Sequence, residues 1–331
     1  MPRAGLACAS VTAEPLPPHA SFVHLVDAVV RNVGKVIKGK DEAIELALIC
    51  LLADGHLLIE DVPGVGKTSL AKALSASIDC TWRRVQFTPD LLPTDLVGVT
   101  VWRKGTETFE FQPGPVFANI VLADEINRAS PKTQSALLES MEERQVSVDG
   151  RTYALPRPFL VIATQNPVEQ EGTYRLPESQ LDRFLVRLSL GYPDRESELA
   201  IIEPGAGSEA ADALEAVVSH DDVLAMAAAA TRVHLAPVLR GYLVDLAHAS
   251  RRHPGLSLGL SPRATVQLAR ATRALAAARG RDYGIPDDVK ALAVPVLAHR
   301  ISLRHDATVR GLTPEGAIEE ILASVSVPSG R

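Results

Sequence analysis

The sequence predicts an α/β fold, with a largely parallel sheet as its core and a smaller all-α domain after it, and three observations support this prediction. Short apolar runs typical of buried strands alternate with segments long enough for helices over residues 21–202. One such run leads into a glycine-rich loop that a helical pattern follows directly. After Gly191-Tyr192-Pro193, alanine- and leucine-rich segments with helical spacing replace the strand-like runs.

The length of the chain predicts more than one domain. At 331 residues it exceeds the usual size of a single hydrophobic core. Prolines concentrated in the first twenty residues indicate a loose tail, and the stretch 203–209, which contains glycine and proline, indicates a linker. We therefore expect four segments, which are a flexible N-terminal tail (1–20), an α/β core domain (21–202), a linker (203–218) and an α-helical domain (219–331).

Charge and cysteine usage exclude several classes of protein. The formal charge of −6 is spread over both parts of the chain, so no basic region is available to bind nucleic acid. Cys8, Cys50 and Cys80 form neither a disulfide framework nor a CxxC pair, which favours the reducing cytoplasm. The longest apolar stretches are much shorter than the roughly 20 residues that cross a bilayer, so we expect no integral membrane segment.

The elements follow in order from the positions of the apolar residues. Two helices are predicted on either side of a turn at residues 36–39. The run 57–59 predicts the strand before the glycine-rich loop, and the pattern over 68–78 predicts the helix after it. Further apolar runs predict the other strands, at residues 85–87, 120–123, 159–163 and 184–188. Capping residues before prolines predict helix starts in the last part of the chain, where we expect four or five short helices.

The glycine-rich loop has the residues and the setting of a phosphate-binding loop. Its backbone N–H groups and the start of the following helix can surround a polyphosphate. Lys67 would reach the β- and γ-phosphate oxygens and the Thr68 hydroxyl would coordinate Mg²⁺, so ATP with Mg²⁺ is the expected ligand. The residues expected to bind the nucleotide here are Pro63, Gly64, Val65, Gly66, Lys67, Thr68 and Ser69. The alternative interpretation is a glycine turn with an incidental surface lysine.

One position departs from the strict phosphate-loop pattern. That pattern has glycine where this chain has Asp61, which brings a carboxylate near the expected polyphosphate. Because position 61 lies at the end of the predicted strand, we expect the substitution to weaken nucleotide affinity at most.

A second strand brings two acids to the same edge of the sheet. The apolar run 120–123 ends at Asp124 and Glu125, and α/β sheets bind ligands at the carboxyl ends of their strands. Asp124 would hold Mg²⁺, directly or through water, and Glu125 would orient or deprotonate the attacking water. Alone, such a pair is more often a solvated helix cap, but beside a phosphate-binding loop the catalytic interpretation is favoured.

Four stretches give the sequence a specific resemblance. They are QFTPDLLPTD at 86–95, FQPGPVFANIVLADEINRA at 111–129, ATQNP at 163–167 and RLPESQLDRF at 175–184. The order of elements resembles that of an AAA+ ATPase, and the stretches closely resemble the MoxR family, over about residues 22–325. The resemblance implies a P-loop AAA+ core with β-hairpin insertions, followed by an α-helical lid domain.

The resemblance also implies roles for polar residues outside the loop. Asn166 would be the sensor that bonds the attacking water or the γ-phosphate. Arg263, on the first turn of a helix, would be a second sensor that reaches back to the γ-phosphate. Arg183, in preference to Arg175, would be the arginine finger that a neighbouring subunit inserts. From the residues alone the alternatives are a turn asparagine, a solvated arginine and a surface ion pair of Asp182 with Arg183.

Three further regions take their assignment from the resemblance. Val36 and Ile37 would cover the adenine, although their spacing alone makes them core residues. Alternating apolar residues predict β-hairpins within 91–112 and 142–156. In the related AAA+ proteins these hairpins are insertions that would face a partner or substrate; the alternative is plain surface hairpins.

The function implied by the resemblance is ATP hydrolysis with Mg²⁺ at the subunit boundaries of a homo-hexameric ring. It also implies a chaperone-like role in the maturation of client proteins, with a von Willebrand factor A-domain protein as a partner. The sequence does not identify the client protein. Two alternatives stay open, which are a magnesium-chelatase-like motor subunit and a nucleotide-gated binding module with little turnover.

Overall fold

The computed structural model describes residues 19–166, 173–203 and 208–328. Its strands in chain order are β1 (Leu57–Glu60), β2 (Trp82–Gln86), β3 (Gly98–Arg103), β4 (Thr108–Pro113), β5 (Ile120–Asp124), β6 (Gln145–Val148), β7 (Arg151–Ala154), β8 (Leu160–Gln165), β9 (Val186–Leu188), β10 (Leu256–Leu258) and β11 (Ser302–Leu303). Five of these strands form the central sheet in the order β2-β5-β8-β1-β9, and every pair in it is parallel. The predicted parallel α/β core is therefore confirmed.

The helices surround this sheet and then form the last part of the chain. They are α1 (His19–Gly34), α2 (Asp41–Leu52), α3 (Lys67–Ser77), α4 (Pro93–Val97), α5 (Pro131–Glu143), α6 (Glu178–Leu181), α7 (Arg195–Ile202), α8 (Ser208–Asp212), α9 (His220–Thr231), α10 (Pro237–Arg252), α11 (Pro262–Ala278), α12 (Pro286–Leu297), α13 (His305–Val309) and α14 (Pro314–Ser324). Short 3₁₀ turns lie at Pro115–Phe117, Ile126–Arg128 and Ala298–Arg300. No helix in the described ranges is both long enough and apolar enough to span a bilayer.

The sheet separates two hydrophobic cores. Alternate residues of β5 point to opposite faces, so Ile120 packs with α1, α2, α3 and the C-terminal helices, whereas Val121 packs with α4 and α5. β5 is buried along its whole length because it lies between β2 and β8. This burial explains why its sequence is a continuous apolar run up to the acids at its end.

β2 begins earlier than the sequence predicted. It starts at Trp82, and the predicted run 85–87 covers only its end. β2 is an edge strand, and Arg83 and Arg84 on it are exposed, so only part of the strand carries the apolar residues by which buried strands are recognised.

The C-terminal part of the chain is helical, as predicted, but its described residues contain one helix more than predicted and a small additional sheet. It contains α9 to α14 within the described residues, where the sequence predicted four or five helices. It also contains a small antiparallel pair, β10 with β11, which the all-α prediction missed. Strands of three and two residues are too short to show a periodic pattern.

The segment predicted as a linker, 203–218, contains a helix and is fastened to the core. α8 packs beside α3, and Asp212 forms an ion pair with Lys72. The Asn32 side chain donates to the backbone oxygen of Glu215 at 3.0 Å, so the end of the segment is also tied to α1. Residues 204–207 of the linker, and residues 1–18 of the predicted tail, lie outside the described residues.

Both predicted hairpins are present as antiparallel pairs. β3 pairs with β4, and β6 pairs with β7. The rings of Phe111 on β4 and Tyr153 on β7 stack with centroids 4.1 Å apart, so the two hairpins contact each other. At the far end of the first hairpin, Trp102 and Phe109 form an exposed edge-to-face pair with centroids 4.9 Å apart.

Candidate active site

The glycine-rich loop connects the end of β1 with the start of α3, as the sequence predicted. Gly64 and Gly66 have φ angles of +85° and +97°, which lie in the left-handed region that favours glycine. Space is open where a side chain on Gly64 would begin. The loop therefore has the bare backbone and the helix start that an anion site requires.

The Lys67 ammonium is folded back over the loop. Its Nζ donates to the backbone oxygens of Asp61 at 2.7 Å and Val62 at 2.9 Å. Burial lowers the pKa of Lys67, while the nearby carboxylates of Asp61, Asp124 and Glu125 oppose that shift. The ammonium is therefore held at the loop among carboxylates, without a direct ion pair in the described residues.

The Asp61 carboxylate turns away from the phosphate loop. It accepts hydrogen bonds from the Ser189 hydroxyl at 2.9 Å and from the backbone N–H groups of Gly191 at 2.7 Å and Val62 at 2.9 Å. Burial raises the pKa of Asp61, but these hydrogen bonds outweigh it and leave the pKa below its ordinary value. Asp61 thus fastens the end of β1 to the segment after β9.

The two acids after β5 lie at the carboxyl edge of the sheet, as predicted. Asp124 is 8 % exposed, and its Oδ1 accepts a hydrogen bond from the Thr164 hydroxyl at 2.6 Å. Its Oδ2 accepts from Arg84 Nη2 at 2.7 Å. A carboxylate with these two partners is held in one orientation.

Glu125 has an unusual backbone conformation. Its φ of +56° is left-handed, which costs energy for a residue with a side chain, and its N–H donates to the Thr164 hydroxyl at 2.9 Å. Its carboxylate accepts from Gln86 Nε2 at 2.8 Å and from Arg128 Nη1 at 3.1 Å. The turn therefore directs the Glu125 carboxylate along the sheet edge, beside Asp124.

One cavity of about 350 Å³ collects most of the predicted site. It is lined by Pro63, Gly64, Gly66, Lys67, Thr68, Ser69, Arg84, Gln86, Asp124, Glu125, Thr164 and Asn166. Nine of these twelve were predicted from the sequence, and Arg84, Gln86 and Thr164 were not. Gln86 and Thr164 lie in the first and third of the four stretches that carry the resemblance, and a search for polar residues at predicted strand ends would have found them.

Val36 and Ile37 lie in the core beside the phosphate loop. They are only 5 % and 6 % exposed, and the Ile37 Cδ1 atom lies 3.5 Å from the position that a Cβ on Gly66 would occupy. Neither of them is among the described residues that line the cavity. Their predicted contact with adenine stays a prediction.

The predicted arginines lie in a different place. Arg183 Nε and Arg263 Nη1 both contact the Glu142 carboxylate, at 3.2 and 2.8 Å. They line a second cavity of about 260 Å³, so Arg263 does not reach back to the phosphate loop of its own chain as the sequence analysis expected. Arg175 is an exposed residue ahead of α6.

The first cavity has the parts needed to bind a polyphosphate with a divalent cation. The loop and Lys67 supply N–H donors and positive charge, and the Thr68 hydroxyl and Asp124 carboxylate supply the oxygen ligands that Mg²⁺ prefers. Arg84 already places one cation beside the Asp124 carboxylate. Glu125 and Asn166 lie in the same cavity and can hydrogen-bond a water molecule there.

Comparison with known proteins gives two family matches. Residues 56–186 match the ATPase family associated with various cellular activities (AAA), and residues 248–321 match the AAA lid domain. The first match includes every residue named above as lining the first cavity, because these residues all fall between 63 and 166.

Relatives with curated descriptions align over nearly the whole chain. Chaperone MoxR1 of Mycobacterium tuberculosis is 43 % identical over 319 residues, which cover 93 % of this chain and 84 % of that protein. Protein YeaC of Bacillus subtilis, itself uncharacterized, is 47 % identical and covers 93 % of this chain and 96 % of its own length. Protein MoxR of Paracoccus denitrificans is 34 % identical, with 89 % and 94 % covered.

Solved structures agree with the fold. The crystal structure of a candidate ATPase from Cytophaga hutchinsonii superposes with a TM-score of 0.86 at 39 % identity, and covers 94 % of this chain and 97 % of that one. A homologue of the MCM proteins from Methanopyrus kandleri superposes with a TM-score of 0.58 at 18 % identity, which shows a shared fold only.

Proposed function

The chain belongs to the MoxR family of AAA+ ATPases, and from that premise we propose that it binds ATP with Mg²⁺ and hydrolyses it at the subunit boundaries of a homo-hexameric ring. The observation that carries the proposal is the composition of the first cavity. The phosphate loop with Lys67, the acids Asp124 and Glu125, and Asn166 all line it. This is the set of groups that phosphoryl transfer to water uses.

The loop side of the cavity would hold the nucleotide. Backbone N–H groups around Gly64 and Gly66 would bind the phosphates, and Lys67 would leave its two carbonyl partners to reach the β- and γ-phosphate oxygens. Thr68 and Asp124 would be the protein ligands of Mg²⁺. When bound there, Mg²⁺ would neutralise charge on the phosphates.

The opposite side of the cavity would act on the attacking water. Glu125 would orient this water or accept its proton, because its carboxylate is directed along the sheet edge toward the cavity. Asn166 would hydrogen-bond the water or the γ-phosphate. The strained backbone at Glu125 supports this role, since such strain concentrates at functional sites.

Arg183 and Arg263 would serve the site of a neighbouring subunit. Both contact Glu142 in a cavity that shares no lining residue with the first cavity, which contains the phosphate loop. Supplied by a neighbour, they would stabilise the charge that develops on the γ-phosphate. Their contacts with Glu142 would break when the ring assembles. A site completed in this way requires an adjacent protomer, and the ring of six is proposed from the resemblance.

A chaperone-like role in the maturation of other proteins is the cellular function we propose. It is supported by the relation to Chaperone MoxR1 and by the exposed Trp102–Phe109 pair at the end of the first hairpin, which offers apolar surface to a client. A von Willebrand factor A-domain partner is proposed from the resemblance alone.

A second candidate is a nucleotide-gated binding module with little turnover. One observation favours it: Arg84 bonds to Asp124 and Gln86 bonds to Glu125, so both acids have protein partners. If these contacts persisted with nucleotide bound, ATP would bind without being hydrolysed.

The Glu125→Gln variant tests the proposal. It should bind ATP as tightly as the parent but lose hydrolysis by about a thousandfold, because the base is gone while the phosphate loop is intact. The exposed Glu139→Gln on α5 is the matched control and should keep full turnover. Mg²⁺-dependent phosphate release per protomer should also rise with protein concentration as rings form. Turnover that is unchanged in Glu125→Gln would contradict the proposal, and negligible turnover of the parent with normal ATP binding would favour the binding module.

A further inference from the structure

Arg300 of the helical domain is buried against the residues on either side of Arg183. It ends the 3₁₀ turn after α12, and only 5 % of it is exposed. Its neighbours across the domain boundary are Asp182 and Phe184, which with Arg183 form what we call the finger segment, 182–184. Arg300 is remote in sequence from this segment, so the fold alone brings them together.

The Arg300 guanidinium contacts both ends of the finger segment. Nη1 donates to the backbone oxygen of Asp182 at 2.9 Å and also pairs with the Asp182 carboxylate. Nη2 donates to the backbone oxygen of Phe184 and to the side chain of Gln267. Nε donates to the backbone oxygen of Val296 at 2.7 Å, which fixes the guanidinium to α12. All three nitrogens of the Arg300 guanidinium thus donate hydrogen bonds.

The residue before Arg300 adds a second contact to the same segment. His299 is buried, and its Nε2 lies 3.0 Å from the backbone oxygen of Phe184. Burial is the largest cause of a pKa well below the ordinary value for His299, so its ring is neutral and Nε2–H donates this bond. The Phe184 carbonyl therefore accepts from two consecutive residues of the helical domain.

A buried guanidinium is stable only when its partners are fixed. Burial lowers the pKa of Arg300 to about 10, with the Asp182 carboxylate opposing the shift, so the side chain stays charged at neutral pH. Breaking such a pair leaves an uncompensated buried charge, which is strongly unfavourable. The backbone around Arg183 is consequently held in one position, while the Arg183 side chain extends to Glu142 in the second cavity.

We propose that Arg300 is a positioning residue for Arg183: it holds the finger segment from the helical domain, so that movement of this domain moves the arginine offered to the neighbouring subunit. The proposal rests on the proposed function, in which Arg183 acts on a neighbour's nucleotide. The position of the helical domain in one protomer then affects ATP hydrolysis in the adjacent protomer.

The test compares Arg300→Gln with Arg281→Gln. Arg281 is a matched control because it is also a lid arginine paired with a buried carboxylate, that of Asp288, away from the finger segment. Hydrogen exchange of the peptide containing residues 182–184 should become at least tenfold faster in Arg300→Gln and stay unchanged in Arg281→Gln. Asp182→Asn, which keeps Arg300 and weakens the same pair, should give a smaller increase. Unchanged exchange in both Arg300→Gln and Asp182→Asn would overturn the proposal.

Mixed assemblies then test the catalytic consequence. Arg300→Gln alone should bind ATP normally and lose most of its turnover. Mixed with Glu125→Gln, which keeps a complete finger, it should regain up to about a quarter of the parent rate, since about half of the intact sites receive a competent neighbour. Mixed with Arg183→Ala it should regain nothing. A general folding defect would prevent rescue in both mixtures and would overturn the proposal.

A reference mixture separates this proposal from the proposed function. Arg183→Ala mixed with Glu125→Gln should regain activity whenever fingers act between subunits. Rescue there without rescue of Arg300→Gln would overturn the positioning role and leave the proposed function standing. No rescue in the reference mixture would overturn the action between subunits, and the positioning role with it, whatever the exchange result.

Discussion

Arg84 contacts Asp124 through two nitrogens, with Nε 3.1 Å and Nη2 2.7 Å from the same carboxylate oxygen, Oδ2. The other oxygen, Oδ1, accepts the Thr164 hydroxyl. The charge that we expect to hold Mg²⁺ is therefore balanced by a guanidinium on the neighbouring strand β2. Mg²⁺ and Arg84 should compete for this carboxylate, because both are cations and one oxygen serves them.

The Arg84→Gln variant should need less Mg²⁺ for ATP hydrolysis. Arg84 is about half exposed, and such an ion pair contributes up to about 1 kcal/mol, so the half-maximal Mg²⁺ concentration should fall by up to about fivefold. The measurement is phosphate release as Mg²⁺ is titrated at saturating ATP. Arg83→Gln is the control, since Arg83 lies next in the strand and bonds only weakly to the Trp82 backbone oxygen. An equal shift in both variants, or none in Arg84→Gln, would contradict the competition.

Lys67→Ala should abolish nucleotide binding. The ammonium lies at the loop on two carbonyl oxygens, so it needs only to rotate to meet a phosphate. Among the described residues that line the cavity, Lys67 is the only lysine. We expect at least a hundredfold loss of ATP affinity by equilibrium titration, because a hydrogen bond to a charged group contributes up to about 3 kcal/mol to the binding free energy. Lys72→Ala, on the same helix but paired with Asp212, should bind ATP normally. Near-normal affinity in Lys67→Ala would refute the phosphate-loop assignment.

Much of the α/β core could be predicted because its strands are buried on both faces. The run 120–123 is apolar throughout, since β5 lies in the middle of the sheet, and the polar residues after it mark where the strand ends. The same reasoning found only part of β2, which lies at the edge and carries Arg83 and Arg84 on exposed positions. A continuous apolar run indicates a buried strand, and an edge strand has fewer buried residues to form such a run.

The parts of the site that are formed by residues close together in the sequence could be predicted. Gly64 to Ser69 and the pair Asp124 and Glu125 are local signals, and all of them except Val65 line one cavity. Arg84, which contacts Asp124, carries no local signal, because its role depends on the pairing of β2 with β5. The location of Arg263 was missed for the same reason. Its partner Glu142 comes from α5, and only the packing of the helical domain on the core brings them together.

Arg183→Ala should lose turnover while it keeps ATP affinity. The loss should be about a thousandfold, as for other arginine fingers, and mixing with Glu125→Gln should restore part of the activity. Arg175→Ala is the comparison, because it removes the other candidate from the same stretch of sequence. If Arg175→Ala loses turnover and Arg183→Ala does not, the finger has been assigned to the wrong arginine.

The pH dependence of stability should reflect two buried histidines. Burial is the largest cause of the low pKa values of His56 and His299, which lie well below the ordinary value of 6.5. Both rings are therefore neutral in the folded protein, whereas in the unfolded chain they take up protons as the pH falls through about 6.5. The unfolded state then binds more protons, so stability is complete above this pH and declines below it.

His56→Gln should reduce this decline. In the folded protein His56 Nδ1 accepts the Val161 N–H at 2.9 Å and Nε2 lies 3.1 Å from the Met141 backbone oxygen, contacts that a glutamine amide can also make. Each buried histidine should contribute a slope of about 1.4 kcal/mol per pH unit below about pH 6.5, and the variant should lose one such contribution. The measurement is the free energy of unfolding in urea as a function of pH. His305→Gln, at an exposed position, should keep the full slope, and an equal slope in His56→Gln would show that His56 is not held neutral by the fold.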